Sequence, residues 1–122
     1  MQPLAIVLYE RIMPGSQLVN RLQDLSYRVL VLNNPALVAA TARRESPLVV
    51  FVDLETRGDV CEAIARVKAD EATRHLPIVA FAPDKQADML AAAEKAGARL
   101  VVGETTLSEH LPTLLEQALQ VD

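Results

Sequence analysis

Much of what usually carries chemistry is scarce in this sequence. Its 122 residues include one cysteine, no tryptophan, two tyrosines, two phenylalanines, two histidines and four glycines. A lone Cys61 cannot form an internal bridge, and no second cysteine stands by to make it a redox pair, so it reads as a half-buried structural thiol. Neither His75 nor His110 has a companion at metal-ligand spacing, and both read as surface histidines. With so few aromatics and a net charge of −4, the chain offers neither a stacking platform nor a phosphate-tracking stripe, which argues against nucleic-acid binding. The Arg43-Arg44 pair reads as a solvated helix end.

Other absences narrow the field further. No apolar run approaches the ~18 to 20 residues of a membrane-spanning helix. Met1-Gln2-Pro3 lacks the basic segment of a secretory signal, so a cytoplasmic location is expected. There is no Gly-x-Gly-x-x-Gly, no Gly-Lys-Ser/Thr and no Gly-x-Ser-x-Gly, and no enzymatic activity is expected. What is present is an ordinary globular composition, 51% hydrophobic and 23% charged, with no repeat or linker. Residues 1–122 are expected to form one domain without an output domain.

The most informative stretch is Leu48-Val49-Val50-Phe51-Val52-Asp53, an apolar run closed by a carboxylate. A parallel strand buried on both faces reads this way, and open α/β folds place their sites beyond the carboxyl ends of such strands. Further strands are predicted at Leu4 to Tyr9, Tyr27 to Leu32, Pro77 to Ala82 and Arg99 to Val102. Helices are predicted between them: one capped by Ser16, one opened by Asn34-Pro35 and running to about Glu45, and one capped by Asp59 with Glu62 answering it. A fourth opens at Pro83-Asp84 and ends at Gly97, and a last one is capped by Ser108 with Pro112 in its first turn and an apolar stripe from Leu111 to Leu119. This (βα)5 pattern predicts a three-layer α/β/α sandwich around a five-stranded parallel sheet in the flavodoxin-like order 2-1-3-4-5.

Three segments in this order resemble the receiver domain of bacterial two-component response regulators. Pro47 to Leu54 is similar to the strand ending in the phosphoacceptor aspartate, Pro77 to Ala82 to the fourth strand, and Lys95-Ala96-Gly97-Ala98 to the turn into the fifth. The resemblance puts Asp53 at the phosphoacceptor position. It also implies an acidic pair for magnesium at the end of strand one, a hydroxyl ending strand four and a lysine ending strand five. Here those positions fall on Leu8 and Tyr9, on Ala82, and near Gly103-Glu104. Only Glu10, one residue beyond the pair, keeps a carboxylate nearby.

A phosphoryl group brings about −1.5 to −2 charges. Each like pair at ~4 Å costs about 4 kcal/mol at an effective dielectric of 20. Glu10, Glu55 and Glu104 are all expected near Asp53, with no lysine or bound metal to offset them. A degenerate pseudo-receiver without efficient phosphorylation is therefore expected, needing no cofactor and working through a protein partner, a kinase, an effector or a second copy. The resemblance assigns that contact to helix four, strand five and helix five. Two alternatives stay open. Asp53 is a weak phosphoacceptor in a phosphorelay with Glu10 as a remaining magnesium ligand, or the loop from Glu10 to Ser16, with Pro14-Gly15-Ser16 at a helix start, binds a small anionic ligand as flavodoxin-like proteins do.

Overall fold

The computed structural model describes residues 2–120. Five parallel strands, β1 (Leu4–Leu8), β2 (Arg28–Leu32), β3 (Val49–Asp53), β4 (Ile78–Ala82) and β5 (Leu100–Gly103), lie in the order β2-β1-β3-β4-β5. Six helices connect and flank them: α1 (Ile12–Asp24), α2 (Val38–Glu45), α3 (Val60–Ala69), α4 (Ala87–Ala96), α5 (Glu104–Glu109) and α6 (Leu111–Leu119). The sandwich and strand order match the sequence reading, with each strand within one residue of its expected bounds.

Period-two alternation in the buried strands builds two cores. Ile6, Leu8, Val50, Val52, Ile78 and Ala80 face α2, α3 and α4. Ala5, Val7, Val49, Phe51, Val79 and Phe81 face α1, α5 and α6. Every residue of β1, β3 and β4 is buried, as expected for the centre of a parallel sheet, whereas the edge strand β2 is half-exposed.

Local signals explain several helix ends. Asp59 accepts a hydrogen bond from the Glu62 N–H at 2.9 Å, and Asn34 accepts one from Ala36 at 3.0 Å, opening a 3-10 turn (Pro35–Leu37) that leads into α2. Gly97, at φ +121°, ends α4 in a conformation that favours glycine. Three expectations are corrected. The Glu62 side chain does not return to Asp59; it pairs with Arg66 one turn on, at 2.7 Å. Ser16 lies inside α1 rather than capping it, because Pro14 already presets the first turn after an extended Met13, and the Ser16 hydroxyl donates back to the Ile12 carbonyl.

The third correction concerns the last helix. Ser108 belongs to the short helix α5, and the chain breaks at His110 before α6 begins. Pro112 has no N–H to offer the Ser108 carbonyl four residues back, so a continuous helix would leave that oxygen unpaired. The Arg21 guanidinium donates to it instead, from α1.

Asp59→Ala is expected to lower stability by about 1 kcal/mol, the usual loss of an N-cap. In urea unfolding this shifts the midpoint and leaves the slope unchanged.

Candidate functional site

The strand order reverses between β1 and β3, and the crevice beyond their carboxyl ends holds Asp53. The carboxylate is fully buried, and its oxygens are used from two directions. The Arg11 guanidinium grips it in a two-pronged pair, Nε to Oδ2 at 3.0 Å and Nη2 to Oδ1 at 2.8 Å, while the Glu55 N–H donates to Oδ1 at 2.9 Å. Arg11 Nη2 also stands 2.5 Å from Glu104 Oε1. One cation thus bridges the carboxylates ending β3 and following β5.

Geometry and charge agree on how firmly this arginine is held. Burial opposes its charge, yet the hydrogen bonds to Asp53 and the ion pair with Glu104 outweigh that penalty and raise its pKa above the ordinary arginine value. Such a fork fits a carboxylate in a way that a lysine ammonium does not.

Glu10 behaves differently from its expected role beside Asp53. It faces Arg57, accepting from the Arg57 N–H at 2.5 Å and from its Nε at 3.1 Å. The backbone N–H of Arg57, and then its side chain, hold the Glu10 carboxyl below its usual pKa. Glu55 contributes its backbone N–H to Asp53, and its residue is exposed. Leu8 and Ala82 are buried apolar residues, and the Tyr9 ring packs against Gly15 rather than reaching the crevice. Glu104 stands at the site as expected.

These acids are nonetheless offset, though by neither a lysine nor a metal. Arg11 supplies the cation, from the loop after β1 rather than from the end of β5. A basic residue two places beyond Tyr9, on the loop that must border the crevice, was the available signal. The residues do not fit a magnesium ion: Leu8 and Tyr9 stand where ligands would be, the Asp53 oxygens are taken, and Glu10 is turned to Arg57. Among the described residues no three His, Cys, Asp or Glu side chains come together in a metal-holding group.

The loop from Glu10 to Ser16 gives no open anion cradle either. Gly15 is packed on the Tyr9 ring, which a Cβ would strike at 2.1 Å, and Ser16 is bonded within the helix. A groove of about 330 Å³ runs beside the site between α1 and α5, with Leu18, Leu107 and Leu111 in its floor and Glu104 at its edge. His75 lies in the loop before β4, and His110 is the residue between α5 and α6. Cys61 is half-buried in the first turn of α3, where burial, then the charge of Asp59, raises its thiol pKa.

No family model matches the chain, and no curated protein matches it in sequence. Solved structures do match. The receiver domain of a sensor histidine kinase from Pseudomonas aeruginosa, solved with magnesium in its active-site cleft, superposes with a TM-score of 0.87 over 98% of both chains at 17% identity. The chain has the receiver fold. The receiver domain of NtrX from Brucella abortus gives 0.84 over 97% of this chain and 99% of that one, also at 17% identity. The signal receiver domain of a diguanylate cyclase from Desulfovibrio desulfuricans gives 0.80 over 98% and 94%, at 20% identity.

Two outcomes follow from this geometry. Arg11→Ala strands a fully buried Asp53, and because Arg11 itself is about one-third exposed the loss is expected near the lower end for broken buried pairs, about 2 to 3 kcal/mol, by urea unfolding. Arg11→Lys recovers only part of it. Cys61, with its raised pKa, is expected to react with a thiol reagent far more slowly in the native chain than in denaturant at neutral pH, the native rate climbing as pH rises.

Proposed function

We propose that this chain is a cytoplasmic receiver-fold signalling module that acts by contact with a protein partner and not as an enzyme. On this reading Asp53 is the phosphoacceptor position of a receiver whose charge is already balanced by Arg11, so efficient phosphorylation is not part of its work and no magnesium is required. The observation that carries it is the two-pronged Arg11–Asp53 pair around a fully buried carboxylate. A phosphoryl donor must reach a free carboxylate oxygen, and both oxygens are engaged. Three further features favour the reading. Ala82 offers no hydroxyl to a phosphoryl group, Glu104 puts a negative charge where the resemblance calls for lysine, and the aspartate is bridged to that glutamate instead.

Two surfaces suit protein contact. At the rim of the site Ile12 and Met13 are 75% and 56% exposed, immediately after the arginine. At the β5 edge every strand residue is only half-buried, and α4 buries Ala93 alone. The second of these belongs to the α4, β5 and final-helix face that the resemblance assigns to partners, with α6 taking the place of the final helix.

The test is intact-mass spectrometry after incubation with magnesium and acetyl phosphate, beside Asp53→Asn. No mass gain in either chain is the expected result. A gain of one phosphoryl group that disappears in Asp53→Asn would make Asp53 a working phosphoacceptor and overturn the proposal.

A further inference from the structure

The sheet ends at β2, and the outer edge of that strand has no strand neighbour among the described residues. Its hydrogen bonds show which backbone groups are left over. Arg28 donates its N–H to the Pro3 carbonyl and Leu32 accepts from the Tyr9 N–H, so Arg28, Leu30 and Leu32 direct their peptide groups at β1. By alternation, Val29 and Val31 present both N–H and C=O outward. An open edge of this kind is a template for another strand, and proteins normally guard it with charge, proline or a bulge. Here the strand is Arg28-Val29-Leu30-Val31-Leu32, with its one charge at the very start, no proline and an unbroken register of five pairs with β1. Val31 is 44% exposed, and Leu37 in the following turn is 48% exposed.

We propose that β2 is the interface for a second copy of this chain, the two β2 strands pairing antiparallel about a two-fold axis at Leu30 to join both sheets into one. In that register the outward groups of Val29 meet those of the partner's Val31 and the reverse, so each free donor faces a free acceptor. Val29, Leu30 and Val31 form the same apolar strip on both copies, as a two-fold contact requires.

Charge selects the direction. Antiparallel pairing sets Arg28 opposite the partner's Leu32, with the uncharged Asn33 and Asn34 beyond it, and holds the two guanidinium groups at opposite ends of the ribbon. Parallel pairing would stack Arg28 on Arg28, a destabilising arrangement. The contact leaves the Arg11–Asp53 site and the β5 edge free.

Sedimentation equilibrium from micromolar to millimolar concentration is the experiment, on the full chain and on Val31→Lys. A monomer–dimer equilibrium is expected, and the substitution, which sets the two copies' ammonium groups diagonally across the axis on one face of the ribbon in place of apolar contact, is expected to weaken it about tenfold or more. The side chain is exposed, so circular dichroism, and the melting curve at a concentration where both chains are monomeric, should stay as they were. Crosslinking identifies the edge independently of that variant. Leu30 is the position that meets itself across the axis, as a non-hydrogen-bonded pair with Cα atoms about 4.5 Å apart, within disulfide reach. Leu30→Cys in a Cys61→Ser background should give a disulfide dimer under mild oxidation, and Leu48→Cys in the same background should not. A chain that stays monomeric throughout overturns the proposal. So does a dimer that neither responds to Val31→Lys nor crosslinks through position 30, which would place the contact on another face.

Discussion

The site depends on one ion pair that spans the chain: Arg11, just past β1, gripping Asp53 at the end of β3, 42 residues away. A carboxylate with no exposed surface is tolerable only with a partner, since an isolated buried charge is far more costly than the fold's net stability allows. The guanidinium supplies that partner without leaving the protein. It then reaches Glu104 at the start of α5, so the loops after β1, β3 and β5 are tied through a single cation. A second ion pair, Glu10 with Arg57, links the first two of those loops again. These arginines balance the acids that border the crevice.

How much of this was legible in the sequence follows from the range of each interaction. The sheet was readable because β1, β3 and β4 are buried on both faces and so spell continuous apolar runs. The caps at Asn34, Asp59 and Gly97 were readable because each acts within three residues of itself. The break at His110 has a local cause, the missing N–H of Pro112, but the apolar stripe across it continues at helical spacing. The same pattern therefore serves one helix or two, and the backbone bookkeeping decides. Ser16 misled for a related reason, since a serine four residues into a helix bonds backwards as readily as it caps.

The candidate site was half legible. Asp53 was placed by the strand pattern, because strand ends converge on the crevice whatever the side chains are, and Glu104 by the resemblance to receiver domains. Their partners were not, because a long flexible arginine can answer any carboxylate within several ångströms, and spacing along the chain does not encode which. Glu10 and Arg57 show the same limit: Glu10 and Glu104 read as sources of repulsion beside Asp53, yet each stands against an arginine from another loop. The fold places the positions, and the fine chemistry lies in side-chain choices across the crevice.

The central claim is that Arg11 fills the electrostatic role of a metal at Asp53. The most direct measurement is a magnesium titration of the unmodified chain, followed by the amide resonances of residues 10, 53, 55 and 104. The account predicts no saturable shift at millimolar magnesium, because the Asp53 oxygens are already bound. A saturable shift centred on Asp53 and Glu55 would contradict it, showing that the arginine yields to the ion.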